Sequence, residues 1–194
     1  MKKIPTLFER IYENHKVVGI TPKITEGCEE AFLNGIPTVK FDGSCCAIID
    51  GEFYKRYDAK KGKKPPEGAI PCCDPDPITG HWPHWVKVDR NNPQDKWFVE
   101  AYDHHRDTEL ENGTYEAVGL HFQGNPYHIV TDFLIKHGIV SIDNLDRTFE
   151  GVKEWLETHN EEGIVFWYNG NPVCKIKRTD FGFAWPPIDT PTDT

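Results

Sequence analysis

The chain has 194 residues and a formal net charge of −9, with 38% apolar, 12% aromatic and 27% charged residues. That length suits one globular domain with a real core, and that composition excludes a disordered or low-complexity chain. No apolar run approaches the roughly 20 residues of a bilayer-crossing helix. The opening "MKKIPTLFER" has no apolar stretch behind its charged start, so the expected setting is the cytoplasm, with no membrane partner.

Taken in chain order, Thr25 followed by "EGCEEAFLNG" has a capping residue, early acids and a closing glycine, which predicts a short helix from Thr25 to about Gly35. "TVKFDGSCCAII", "DG" and "EFYKRY" then predict a hairpin, since Asp50-Gly51 supplies the positive backbone angles of a tight turn. On a regular strand Lys40 and Asp42 would share one face, with Val39 and Phe41 on the other. Pro65–Pro83 holds six prolines and is expected to be an irregular loop. Glu100 in "WFVEAY" reads as a helix-start carboxylate or as a metal-site acid, and His104 and His105 as a solvated turn. "NPYHIVTDFLIKHG" begins with Asn125 as a cap and Pro126 at the first helical position, which predicts a helix ending at Gly138. "FEGVKEWLETH" carries Val152, Trp155, Leu156 and His159 at helical spacing. "GIVFWY", "NGN" and "PVCKIK" predict a second hairpin that sets Lys175 and Lys177 on one face and Cys174 and Ile176 on the other. The polar, proline-rich "PPIDTPTDT" reads as a frayed tail.

The six cysteines are Cys28, Cys45, Cys46, Cys72, Cys73 and Cys174; four of them are adjacent pairs, a spacing that suits neither a disulfide framework nor C-x-x-C zinc chelation. Reduced thiols are expected. His81 and His84 beside Cys72 and Cys73 are the zinc option, set against ordinary loop packing. Trp82 and Trp85 divide likewise between stacking on bases and anchoring the core, with the core favoured.

Charge is unevenly placed. Lys55–Lys64 has six basic residues against one acidic, about +5, and Lys175–Arg178 adds about +3, so the rest of the chain is near −17. A net acidic protein argues against general nucleic-acid affinity, yet two basic segments on an acidic body leave room for a local polyanion site.

Lys40, Glu162, Lys175 and Lys177 together suit one reaction. Attack on a nucleotide α-phosphate needs a nucleophile, a divalent cation held by carboxylates, and fixed cations for the charge on the phosphate oxygens and the departing pyrophosphate. A lysine is nucleophilic only as the free amine, so such a site calls for neighbouring cations that disfavour the ammonium form. Gly43 lets nucleotide or backbone approach beside Lys40 where a side chain would intrude.

"KFDG" at Lys40, "YEAVG" around Glu116, "EEGIVFW" around Glu162 and "KIK" at Lys175–Lys177 resemble, in order, motifs I, III, IV and V of the covalent nucleotidyltransferases, the superfamily of DNA ligases, RNA ligases and mRNA capping enzymes. The blocks "YKRYDAKKGKKPPEG", "DPITGHWPHWVKV", "GTYEAVGLHFQGNPY" and "KIKRTDFGFAWP" are similar to one branch, the small ATP-dependent 5′-3′ RNA ligases.

The resemblance implies an α+β nucleotidyltransferase core over residues 1–182, of two packed, mostly antiparallel sheets with flanking helices and an ATP pocket between them, and a tail over residues 183–194. The short stretch after Lys177 leaves no room for an OB-fold domain, which favours an RNA ligase. By the same resemblance Lys40 becomes lysyl-AMP, Asp42 and Gly43 shape its turn, and Arg56 contacts the nucleotide. Glu116 would bond the ribose, Glu162 with Asp42 would serve the metal, Mg2+ or Mn2+, and Lys175 and Lys177 would hold the α-phosphate. Phe122, His137 and Phe133 are the candidates to stack on adenine. Ser44 and Cys45 follow the motif I glycine where many relatives carry arginine, threonine or asparagine.

The function so implied is ATP-dependent joining of 5′-phosphate and 3′-hydroxyl RNA ends in RNA repair, with Lys60, Lys61, Lys63 and Lys64 guiding RNA and no obligate protein partner. Adenylyl transfer to nicked DNA or to a protein, and a non-catalytic binding module of the same fold, are the alternatives.

Overall fold

The structure is a computed structural model and describes residues 3–187. It is α+β, and every pair of neighbouring strands in its sheets is antiparallel. The chain forms two compact units, one of Asp42–His137 and the other of Ile4–Phe41 with Gly138 onward. The first unit is thus an excursion that leaves and rejoins the second.

The second unit opens with a hairpin of β1 (Phe8–Glu13) and β2 (Lys16–Ile24), a third sheet beyond the two expected. Asn14 and His15 both take positive φ at its turn, 50° and 65°, which is the geometry a two-residue hairpin demands. A short helix, α1 (Glu29–Asn34), follows. It starts three residues later than a Thr25 cap predicts, because the Thr25 hydroxyl donates to the Thr6 carbonyl instead of capping a helix. Gly35 does end it: a Cβ there would stand 2.3 Å from the Ala31 carbonyl oxygen. A three-stranded sheet in the order β11–β10–β3 is built from β3 (Ile36–Lys40), β10 (Gly163–Tyr168) and β11 (Asn171–Lys177). The turn between β10 and β11 is Asn169-Gly170, with φ of 50° and 77°. The longer helix of this unit, α3 (Phe149–Thr158), is capped by the Thr148 hydroxyl, which accepts from Gly151 N at 3.0 Å. Phe8, Phe32, Val152, Leu156, Ile164, Phe166, Cys174 and Ile176 form the core against one face of the sheet.

The first unit is a six-stranded sheet, β6–β7–β5–β4–β8–β9, with the remaining helix on one face. Its strands are β4 (Ser44–Ile49), β5 (Glu52–Ala59), β6 (Ile70–Pro71), β7 (Trp82–Lys87), β8 (Gly113–Val118) and β9 (Phe133–Lys136); the helix is α2 (Lys96–Asp103). Asp50 and Gly51 take the positive φ values that the β4–β5 turn requires. Cys46, Ile48, Phe53, Tyr115, Ala117, Phe122 and Leu134 make its core, with Trp97, Phe98 and Tyr102 of α2 packed on them.

Three expectations are corrected. The helix from Pro126 to Gly138 does not form: Gln123, Asn125 and His128 all take positive φ. The Asn125 amide both donates to the Ile129 carbonyl and accepts from its N–H, closing a loop, and residues 133–136 pair with β8 as a strand. Glu100 lies in the body of α2, four residues after its first residue. His105 is no solvated residue, since its Nε2 accepts the backbone N–H of Leu134 at 2.9 Å; burial, with His104 adding to it, holds its pKa below the ordinary histidine value. Most of the proline-rich tail, from residue 188, lies outside the described residues.

Candidate active site

Lys40 is the last residue of β3, and the KFDG stretch is not a regular strand: β3 ends there, and β4 begins at Ser44 in a different sheet. Lys40 and Asp42 therefore do not share a strand face. They fall on either side of the boundary between the two units.

In the three-stranded sheet Gly163 pairs with Lys40 on one side and with Lys177 on the other, while Val165 pairs with Thr38 and Lys175. Residues opposite one another share a face, as do residues two apart on a strand. Lys40, Lys175 and Lys177 thus stand on one face, and the core residues Ile164, Phe166, Cys174 and Ile176 on the other. Gly163 sits between Lys40 and Lys177, which are two strand spacings apart, about 10 Å. The Lys40 ammonium donates to Glu162 Oε2 at 2.8 Å, and the two side chains keep only 25% and 14% of their exposure. The sheet thus brings together four residues spread over 138 positions of sequence, Lys40 to Lys177.

Backbone contacts pin this face. Arg178 N donates to the Glu162 carbonyl at 2.9 Å, and Lys175 exchanges backbone hydrogen bonds with Pro5 and Leu7 at 3.0 and 2.8 Å. Lys177 N donates to Asp180 Oδ2 at 2.8 Å, and Asp180 is paired with Arg10. Beside Glu162, burial pushes the Glu161 carboxyl up, with His159 opposing, and Glu161 Oε2 is buried with no hydrogen-bond partner among the described residues.

The first unit carries a second polar face. Ile135, Glu116, Cys45, Arg56 and Trp85 form one row across β9, β8, β4, β5 and β7, on the face opposite the core and α2. His137 joins this row's neighbourhood: its Nε2 bonds Glu116 Oε2 at 2.7 Å and its Nδ1 bonds the Thr114 hydroxyl at 2.8 Å. Arg56 Nε donates to Asp58 at 3.0 Å. Cys45 has its thiol pushed up to about 12 by burial and by the Glu116 carboxylate, with Arg56 opposing. It is a neutral, inert thiol.

Asp42 N donates to the Tyr127 hydroxyl at 2.6 Å, and Gln123 Nε2 donates to the Gly43 carbonyl at 3.2 Å. A Cβ on Gly43 would lie 2.0 Å from the Ala117 carbonyl oxygen, so the glycine is required by the backbone of β8. Tyr127 and Gln123 were missed by sequence reasoning. Both lie in the block "GTYEAVGLHFQGNPY", which was the available signal.

Of the three aromatic candidates, Phe122 is in the core, 5% exposed and edge-on to Phe98 at 5.4 Å. Phe133 opens β9, near His104 at 6.2 Å between ring centroids. His137 alone of the three bonds Glu116. Lys60, Lys61, Lys63 and Lys64 are all exposed on the loop after β5, where Gly62 takes a φ of 80°. Trp82 Nε1 donates to the Cys73 carbonyl at 2.6 Å and Trp85 is 6% exposed, so both anchor the fold. His84 is buried, and none of His81, His84, Cys72 and Cys73 belongs to a metal-ligating group among the described residues. All six cysteines are free thiols. No helix among the described residues is long and apolar enough to cross a membrane.

Comparison with known proteins returns RNA ligases. The family model that matches is described as RNA ligase 1 and covers residues 105–193, a span with Glu116, Glu162, Lys175 and Lys177 but not Lys40 or Arg56. RNA ligase 1 of Pongo abelii is 26% identical over 253 aligned residues, covering 94% of this chain and 78% of that protein. RNA ligase 1 of Rattus norvegicus is 26% identical with the same coverage, and that of Danio rerio is 28% identical over 57% of this chain and 44% of its own length.

Proposed function

We propose that this protein is an ATP-dependent RNA ligase that joins a 5′-phosphate to a 3′-hydroxyl through an adenylate carried on Lys40. The observation that carries the reading is the Lys40 ammonium held 2.8 Å from Glu162 on a sheet face shared with Lys175 and Lys177.

Each residue has a stated task. Glu162 keeps the Lys40 nitrogen aimed and mostly withdrawn from water, and its Oε2 accepts the hydrogen bond of the amine and takes the proton that it must shed. The amine then attacks the α-phosphorus of ATP; the P–N bond forms as the P–O bond to pyrophosphate breaks. Lys175 and Lys177 neutralise the phosphate oxygens during that exchange. The adenylate next moves to the 5′-phosphate of RNA, restoring the Lys40 amine. Attack by a 3′-hydroxyl then forms the phosphodiester and releases AMP. Arg56 and Glu116 contact the nucleoside, with His137 as the aromatic partner of adenine in preference to core-bound Phe122.

A divalent ion fits Glu162, because magnesium is held by one or two carboxylates together with substrate phosphates. Magnesium or manganese bound there would supply charge neutralisation at the triphosphate. Lys60, Lys61, Lys63 and Lys64 attract the RNA 5′-phosphate on an otherwise acidic chain.

Incubation with α-labelled ATP and magnesium tests the first step: the wild-type protein acquires a covalent label, and Lys40→Ala does not. Label retained by Lys40→Ala refutes the assignment. Matched 5′-phosphorylated RNA and DNA substrates test the second, with joined RNA as the expected product.

A further inference from the structure

On the core side of the six-stranded sheet, three segments bring Glu100 of α2, His121 of the loop after β8, and Asp132 just before β9 together, with one ligand atom from each all within 4.8 Å of one another. Asp132 and His121 hold each other. Asp132 is 6% exposed; its Oδ1 accepts from His121 N at 2.9 Å and its Oδ2 bonds His121 Nδ1 at 2.6 Å. The imidazole also lies flat on Trp97, 3.4 Å between ring centroids and 3° between planes. Trp97 and Glu100 are three residues apart on α2, so they are neighbours on its surface. The Lys55 ion pair with buried Asp95 anchors the start of that helix to the sheet. The loop is closed at its base by Gly119, with a φ of 133°, where a Cβ would stand 2.2 Å from the Thr131 carbonyl oxygen and 2.7 Å from Asp132 Cα.

Charge gives the cluster its direction. Two carboxylates repel at this range unless a cation stands between them. The Lys96 ammonium stands over the face of Trp97, 4.6 Å from the ring centroid. One imidazole with carboxylate oxygens is a mixed nitrogen and oxygen set, which favours first-row transition dications over magnesium.

We propose that Glu100, His121 and Asp132 form a second cation site, distinct from Glu162, that takes a dication of the zinc or manganese type. The ion ties α2 to the loop 119–132, which carries Phe122 and the Tyr127 whose hydroxyl holds Asp42 N. It therefore stiffens the turn after the nucleophile without entering the chemistry.

The test uses the nucleotide-free 194-residue chain and binding readouts alone. Because six free thiols compete for zinc, Mn2+ is titrated by electron paramagnetic resonance, and Zn2+ and Mg2+ by calorimetry. Ni2+ quenching of tryptophan fluorescence reports proximity to Trp97. Wild type is expected to bind one Mn2+ that Glu100→Gln weakens at least tenfold, with the Ni2+ quenching lost in both Glu100→Gln and Trp97→Phe. Glu100 is exposed, so its substitution leaves the fold intact, which circular dichroism checks. Binding and quenching unchanged in Glu100→Gln and His121→Ala, or no Mn2+ bound by wild type at 100-fold molar excess, overturns the proposal.

Discussion

Replacing Gly163 with alanine puts one methyl group between Lys40 and Lys177. The new Cβ would stand 2.3 Å from the Ile176 carbonyl oxygen and 3.1 Å from Lys177 Cα, and ordinary contact begins at 3.4 Å, so β10 and β11 must part by about 1 Å. The neighbours are backbone, which has no rotamer to yield. Overpacking of this kind costs about 1–3 kcal/mol, and weakening two backbone hydrogen bonds beside it about 0.5 kcal/mol each, for a total near 3 kcal/mol. At 2–4 °C per kcal/mol for a chain of this size, the melting temperature falls by about 6–12 °C. A shift of about 1 Å in a reacting group can cost about 100-fold in rate, so adenylylation at a temperature where the variant stays folded drops by that order. Calorimetry and single-turnover labelling with α-labelled ATP measure the two effects. Gly19→Ala is the control, since its Cβ would meet only Ile11 Cδ1 at 3.9 Å. A Gly163→Ala protein that melts within 2 °C of wild type and labels at the same rate refutes the reasoning.

Changing Lys60, Lys61, Lys63 and Lys64 to alanine should reduce the slope of log affinity for single-stranded RNA against log salt by about 3, at about 0.7 per phosphate neutralised, with no loss of self-labelling. Equal slopes in filter-binding titrations would remove RNA from this loop. Tyr127→Phe deletes the acceptor used by Asp42 N, costing about 0.5–1.5 kcal/mol and slowing adenylylation without abolishing it; an unchanged rate would mean the turn needs no such brace. His105 accepts a backbone N–H and has a lowered pKa, so the unfolded chain takes up its proton first: stability present above pH 6.5 is lost as pH falls below that value. His105→Gln should flatten the melting profile between pH 6.5 and 5, and a parallel profile would assign the acid sensitivity elsewhere.

The turn chemistry was legible in the sequence because it is local. Asp50-Gly51 and Asn169-Gly170 announced their hairpins, and the register that follows put Lys175 and Lys177 on one face with Cys174 and Ile176 behind them. The four ordered motifs likewise single out Lys40, Glu162, Lys175 and Lys177, which the three-stranded sheet brings together. Local signals also misled. Asn125-Pro126 reads as a helix start, yet that asparagine closed a loop on Ile129, and the apolar residues at 133 and 134 that fit a helical period went into a strand. A short apolar run has no period of its own until it finds a partner, and β8 supplied one.

Only the tertiary structure decided what stands beside what. That Lys40 ends a strand rather than continuing it, that its ammonium meets Glu162, and that His105 and Tyr127 hold backbone N–H groups far off in sequence are outcomes of pairing across long loops. Residue type and spacing fix the conformations a segment can adopt within a few positions. Contacts over a hundred positions depend on which edges find each other once the core is buried, and no local pattern encodes that choice.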